Sequence, residues 1–118
     1  PKIRLLMNIP IVGDQIKKRI CVGMQEALGG NFYEAIIGGA AINAEIEGLL
    51  KDIGFNYTVG YGATECAPIL SYEDWKEFKK GSCGKAAPRM TLKIDSPDPQ
   101  NIPGEILAKG DNVMLGYY

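Results

Sequence analysis

FYEAIIGGAAINAEIEGLLKDIGFNYTVGY (32–61) decides how the chain folds. FYEAII (32–37) is short, apolar and β-prone, and two glycines follow at once, so it reads as a buried strand running into a tight turn. Asn43 is placed to cap a helix, because its side-chain oxygen can accept from the free amides of the first turn. Behind it Ile46, Leu49, Leu50 and Ile53 recur at i, i+3, i+4 and i+7, one face of a short helix. Gly54 is the stop signal. FNYTVGY (55–61) then returns as a second strand. Strand, helix of about ten residues, strand is a βαβ unit, which predicts two adjacent parallel strands.

Working outward, Pro1 to Gly13 carries two prolines and reads as extended chain or loop. Asp14 is a candidate helix cap. Ile16, Ile20, Met24, Ala27 and Leu28 follow at helical spacing, with Lys17, Lys18 and Arg19 mostly on the other faces. Gly29 and Gly30 end that helix. Downstream, SYEDWKEFKKG (71–81) is polar, with Trp75 and Phe78 as a local apolar patch. MTLKID (90–95) and EILAKG (105–110) alternate, and PDPQNIPG (97–104) between them is dense in turn residues. The expectation is an antiparallel pair with one wet face. The fold class is therefore α/β: a βαβ core with a leading helix over 1–70 and a smaller, mainly antiparallel β region over 71–118.

Bulk properties exclude several functions. The chain has 118 residues, 46% hydrophobic and 23% charged, with a net charge of −1. That is ordinary globular composition. No basic run offers a footprint for nucleic acid. No apolar stretch approaches the roughly 20 residues of a membrane-spanning helix. The three cysteines, Cys21, Cys66 and Cys83, lack any CxxC spacing. They read as reduced thiols of a cytoplasmic protein. There is no histidine, which removes histidine general bases and Ser-His or Cys-His nucleophile pairs. Chemistry must then rest on carboxylates, hydroxyls, backbone amides and a borrowed metal or cofactor. The chain opens on PKIRLLMNIP and ends within an apolar phrase, NVMLGYY, which leads us to expect a piece of a longer protein.

Ligands of α/β sheets bind at the carboxyl ends of the strands. Two such ends occur here, Gly38-Gly39-Ala40 and Gly60-Tyr61-Gly62-Ala63-Thr64-Glu65, and adjacent strands would set them side by side. The first exposes backbone with no side chain to block a flat ring. Tyr61 offers an aromatic face, Thr64 a hydroxyl for a phosphate oxygen, and Glu65 a hard oxygen ligand for Mg²⁺. Jointly they suit a purine nucleotide with its metal. Each also has an ordinary reading: a turn at Gly38-Gly39, a half-buried strand end at Tyr61, a cap at Thr64, a solvated charge at Glu65. Cys66 has no cation beside it in sequence and reads as a small packing residue. Glu105 reads as a water-facing position of an alternating strand.

Four phrases carry a resemblance to a known family. IIGGAAI (36–42) is similar to the adenine-binding turn of the adenylate-forming (AMP-binding) superfamily, which includes acyl-CoA synthetases, non-ribosomal peptide adenylation domains and luciferases. GYGATE (60–65) is similar to its Tyr-Gly-x-Thr-Glu signature. GSCGKAAPRMTLKI (81–94) resembles its Gly-Ser-x-Gly-x-Pro segment, and PGEILAKGDNVMLGYY (103–118) its Gly-Glu-Ile…Arg-Gly-x-x-x-Met-x-Gly-Tyr phrase. ALGGNF (27–32) resembles the long-chain fatty acyl-CoA synthetase branch. The resemblance implies that Gly38, Gly39 and Ala40 line the adenine by backbone contact, that Tyr61 stacks on it, and that Thr64 binds the α-phosphate. It implies that Glu65 holds Mg²⁺ and that Gly62 lies beside the nucleotide, with the acyl pocket near Gly62 and Ala63. Thr64 and Glu65 would then be the catalytic pair. The implied substrates are ATP, a carboxylic acid, long-chain fatty by the branch resemblance, and coenzyme A.

The departures matter too. No Ser/Thr/Gly-rich phosphate loop is present; the resemblance puts it upstream. It puts the ribose-binding aspartate just past Tyr118, and the hinge and catalytic lysine further on. Asp111-Asn112 stands where Pro-Asn is usual, and Lys109 where Arg is common. The expectation is a central slice of the large N-terminal domain, inactive alone, with apolar faces that invite self-association, from a cytoplasmic or membrane-peripheral parent. The rival reading is a non-catalytic nucleotide- or partner-binding module from a degenerate superfamily member.

Overall fold

A computed structural model describes Met7 and residues 9–118. Among the described residues, two helices and seven short strands follow in chain order: α1 (Val12–Ala27), β1 (Ala35–Ile37), α2 (Ala44–Asp52), β2 (Tyr57–Val59), β3 (Tyr61–Gly62), β4 (Ile69–Tyr72), β5 (Lys85–Ala86), β6 (Thr91–Asp95) and β7 (Glu105–Lys109), with a 3-10 turn at Thr64–Cys66. The chain forms two compact units, Pro1–Ile36 with Ile42–Tyr57, and Ile37–Ala41 with Thr58–Tyr118. The α/β class is as expected. No described helix is long and apolar enough to cross a membrane.

In the first unit, α1 ends at the predicted glycine pair. The Gly30 amide reaches back to the Gln25 carbonyl at 2.8 Å, and Gly29 and Gly30 adopt φ of 94° and 76°, which glycine adopts without strain. Its start differs from the expectation. Asp14 is not the cap: the helix begins at Val12 and no side chain caps it. Asp14 lies in the first turn, where its charge still meets the positive end of the helix dipole. The loop expected over Pro1–Gly13 falls mostly outside the described residues, and within it Val12 and Gly13 are helical.

Asn43 caps α2 as predicted, accepting from the amides of Glu45 at 2.8 Å and Ile46 at 3.4 Å. The buried face is rotated from the expected one. Leu50 and Ile53 are buried, but Ile46 and Leu49 are 54% and 40% exposed, and Glu47 is buried in their stead. Tyr57, near Glu47, donates its hydroxyl to the Glu47 carbonyl at 3.3 Å. Burial chiefly, then the Glu47 charge, pushes the Tyr57 phenol up.

Both predicted strands of the βαβ unit exist, each shortened to three residues. Ahead of β1, Phe32 packs its ring on Phe55 at 5.6 Å, and the Tyr33 carbonyl accepts from the Asn56 side chain at 3.2 Å. Side-chain packing there replaces ladder pairing. The two strands pair. The Ala35 amide donates to Asn56 and the Gly60 amide to Ile37, at 3.0 and 2.9 Å. Partners that advance together along both strands make a parallel ladder. All of β2 is buried, but β1, expected to be buried, is not: Ala35 and Ile37 are half-buried and Ile36 is 57% exposed, since β1 has a strand neighbour on one side only among the described residues.

The second unit holds the antiparallel strands. β3, β4 and β5 form one sheet and β6 with β7 another. The β6–β7 register runs from Thr91↔Lys109 to Asp95↔Glu105, as the alternation predicted. One face carries Leu92, Ile94, Ile106 and Ala108. Leu92 and Ala108 pack on a buried cluster of Cys66, Leu70 and Met90, whereas Ile94 and Ile106 remain 41% and 46% exposed. The expected apolar face is thus covered at one end only. The sheet β3-β4-β5 was not predicted: SYEDWKEFKKG reads as polar chain, yet Ser71 and Tyr72 belong to β4.

Replacing the cap with Asn43→Ala should lower stability by about 1 kcal/mol, read as a fall in the urea midpoint with unchanged slope.

Candidate functional site

The glycine turn after β1 and the segment after β2 come together as adjacent strand ends should. The Gly60 amide donates to the Ile37 carbonyl at 2.9 Å, and a Cβ added to Gly38 would sit 3.3 Å from the Gly60 carbonyl oxygen. Gly39 adopts φ of 85°, which favours glycine. Gly38, Gly39 and Ala40 are all exposed. Backbone is what this turn offers.

From Gly60 the chain leaves the parallel pair. Tyr61, 39% exposed, pairs with Ser71, and Gly62 with Ile69 after a register shift. A side chain at Gly62 would strike the Pro68 backbone. Packing alone therefore demands glycine at Gly62, whatever else it does. Ala63 is extended, Thr64–Cys66 make one 3-10 turn, and Ala67 closes it in the left-handed region, φ 53° and ψ 54°. No side chain caps this turn, so the ordinary reading of Thr64 as a cap does not hold. The Ala63 amide reaches the Pro68 carbonyl at 2.8 Å, and the Cys66 amide reaches Ala63 at 2.9 Å. Cys66 is buried in the core cluster, as its reading as a packing residue expects. Thr64 and Glu65, two residues and one residue before it, are exposed. One buried anchor thus presents a hydroxyl and a carboxylate outward.

Sequence reasoning missed what holds that turn. The stretch after β7 returns to it. The Met114 amide donates to the Glu65 carbonyl at 2.8 Å, and the Tyr117 hydroxyl donates to Glu65 Oε1 at 2.9 Å. Asn112 Nδ2 donates to the Cys66 carbonyl at 2.5 Å and the Ile69 carbonyl at 3.3 Å. The phrase PGEILAKGDNVMLGYY was the signal, recognisable as a motif but silent on the role of each residue.

The Glu65 carboxyl is held below the ordinary glutamate value, first by the hydrogen bond from its own backbone amide and second by Tyr117, against a small opposing effect of burial. The same bond, then desolvation and the Glu65 charge, pushes the Tyr117 phenol up. A carboxylate depressed on folding stabilises the fold above its unfolded value, and that contribution is lost as pH falls through the folded one. A raised phenol does the opposite, contributing below its unfolded value and losing it as pH rises. Around neutral pH the pair is an ionised carboxylate accepting from a neutral phenol. Solvent screens so exposed a pair, so the consequence lies in orientation and charge rather than in fold stability.

Among the described residues no three His, Cys, Asp or Glu side chains gather to cage a metal. A cation at Glu65 would have one protein carboxylate and must take its other oxygens from water or a bound substrate. That donor set fits Mg²⁺, which is usually held by one or two carboxylates plus substrate phosphates.

A ¹³C NMR titration of the Glu65 carboxyl should give a midpoint below that of a free glutamate. In Tyr117→Phe the midpoint should move up part of the way, since the amide bond persists. A midpoint unmoved by that substitution would mean that the hydroxyl bond is not kept in solution.

The profile of the family described as AMP-binding enzyme matches residues 4–118. A probable 4-coumarate–CoA ligase of Dictyostelium discoideum is 40% identical over 89 residues, 69% of this chain and 16% of that protein. A long-chain-fatty-acid–CoA ligase of Mycobacterium bovis is 30% identical over 95 residues, 80% of this chain and 15% of that protein. The chain thus spans about one-sixth of the length of these relatives. Both kinds of ligase match, so the long-chain branch suggested by ALGGNF is not singled out. The crystal structure of an anthranilate CoA ligase in complex with anthranoyl-AMP aligns with a TM-score of 0.54 at 22% identity, over 66% of this chain and 16% of that one, which speaks for the fold alone. With nearly its whole length matched by the family profile, the chain belongs to the AMP-binding enzyme family.

Proposed function

We propose that this chain is the central part of the AMP-binding domain of an ATP-dependent acid–CoA ligase. The observation that carries this reading is the exposed Thr64–Glu65 pair, held on a turn anchored by Cys66 and following a parallel strand. In this reading the backbone of Gly38, Gly39 and Ala40 lines the purine ring and Tyr61 stacks on it. The Thr64 hydroxyl donates to an α-phosphate oxygen. Glu65 holds the divalent cation. Gly62 lies beside the nucleotide, with the acyl pocket near Gly62 and Ala63.

The reaction then needs no enzyme nucleophile, in keeping with the absence of histidine. The substrate carboxylate attacks the α-phosphorus, pyrophosphate leaves, and the thiol of coenzyme A displaces AMP from the acyl-adenylate. Bound Mg²⁺ supplies charge neutralisation on the phosphates. The residues of this chain position the nucleotide and stabilise the charge that develops on it. Taken alone, residues 1–118 are inactive, and they act within a longer cytoplasmic protein, with residues 1–70 as the βαβ part and 71–118 as the mainly antiparallel part.

For the acid we favour a long-chain fatty acid, on the ALGGNF phrase and the Mycobacterium bovis relative. An aryl acid is the second reading, favoured by the higher identity to the Dictyostelium relative.

The test is pyrophosphate release by the full-length protein with ATP, Mg²⁺ and acids from acetate to oleate, plus 4-coumarate. Release should depend on one acid class. It should fall by about 100-fold or more in Glu65→Ala, the scale of losing one preorganised electrostatic group. Tyr61→Ala should weaken ATP binding about tenfold, the scale of one lost stacking contact. No release with any acid, from a folded protein that still binds ATP, would support the non-catalytic module instead.

A further inference from the structure

The return of the 110–117 stretch to the Thr64–Cys66 turn has a physical purpose. Ala67 is a non-glycine residue in the left-handed region. Such conformations persist where their surroundings over-determine them, and they cluster at functional sites. The two carbonyls that Asn112 Nδ2 ties together, Cys66 and Ile69, stand on either side of Ala67. Asn112 is itself half-buried. It can fold back so closely because Gly110 has no side chain: a Cβ there would strike Met90 Sδ and lie 2.9 Å from Asn112 Oδ1. Met90 belongs to the same buried cluster as Cys66. Thus the brace is rooted in the core at one end and grips the turn at the other.

The same stretch also reaches the functional atom. Tyr117, 52 residues on from Glu65, donates to one carboxylate oxygen. An ionised carboxylate has about four acceptor sites, so this bond leaves room for a cation while removing rotamer freedom from an exposed side chain. A ligand group fixed in advance avoids losing that freedom when the ligand binds.

We propose that Asn112 and Tyr117 are positioning residues: Asn112 fixes the backbone of the Thr64–Cys66 turn, and Tyr117 fixes the Glu65 carboxylate, so that both are preorganised for the divalent cation that accompanies ATP. This rests on the reading of Glu65 as the metal ligand. Neither residue touches the reacting atoms.

The experiment is calorimetry on the full-length protein with no acid present, measuring the Kd for ATP with Mg²⁺ and again with the metal removed by chelator. The ratio of the two constants is the gain due to metal. Glu65→Ala should abolish that gain. Asn112→Ala and Tyr117→Phe should each cut it by about two- to tenfold, the scale of one side chain left to be immobilised on binding; metal-free ATP affinity should be unchanged in Tyr117→Phe and, because Thr64 sits on the same turn, should fall in Asn112→Ala by less than the metal-bound affinity does. A residue that merely stabilised the fold would lower the competent fraction and move both constants together. If Glu65→Ala leaves the ratio intact, the metal-ligand reading fails and the brace with it. If Glu65→Ala abolishes the ratio while the other two variants keep it at the wild-type value, the brace alone is overturned. Should Asn112→Ala fail to fold, Tyr117→Phe, which removes one hydroxyl from a side chain 73% exposed, decides the matter.

Discussion

Two parallel strands of three residues each cannot be joined by a tight turn. A parallel pair needs a crossover of a dozen or more residues, and between Ile37 and Tyr57 the chain supplies one, α2 with its flanking loops. The consequence is directional. Both strands point the same way, so both carboxyl ends fall at the same edge, and the Gly60 amide finds the Ile37 carbonyl there. The glycine turn at Gly38 becomes a neighbour of Gly60, from which the segment toward Thr64 departs, because of that pairing. An antiparallel hairpin of the same residues would send the two loops to opposite ends, and no shared site could form.

What the sequence made legible follows from where periodicity is unambiguous. The β6–β7 pair stood out because each strand alternates and a proline- and glycine-rich turn separates them. The cap at Asn43 and the stop at Gly30 stood out because local hydrogen bonding fixes both. Features decided by distant residues were illegible. The sheet β3-β4-β5 is built on two- and four-residue strands, too short to show a period, and Gly62 enters it through a register shift. Helix α2 has the predicted stripe but turns it partly outward, because only packing partners choose among neighbouring faces of a nine-residue helix. The helix start at Val12 lacks a side-chain cap, so the cap at Asp14 was read from a signal the chain does not use.

The candidate site divides along the same line. Its outward groups, Tyr61, Thr64 and Glu65, could be picked out because of their joint spacing after a predicted parallel strand and the motif they form, although each alone has an ordinary structural reading. Their supports could not. Asn112, Met114 and Tyr117 lie 43 to 52 residues from their partners at Glu65, Cys66 and Ile69, and three of the four bonds end on backbone carbonyls, which carry no sequence signal at all. A motif can mark such residues without saying what they do.

Chemistry without a nucleophile or a histidine places unusual demands on geometry. If phosphate charge is to be met by a hydroxyl and by a cation that a carboxylate holds, as proposed above, placement is what this turn contributes, and a loose turn would forfeit it. A 3-10 turn closed by a left-handed alanine stores strain of roughly 1–2 kcal/mol, which alone would let it relax into some softer conformation. Three devices oppose that relaxation here: the buried Cys66 beneath the turn, the Ala63–Pro68 bond across its base, and the Asn112 amide over Ala67. The first two lie within residues 63–68, whereas the third comes from 46 residues downstream, so losing that contact alone leaves the local pair in place. The strain is then evidence of over-determination, and over-determination is what a site built only from positioning requires.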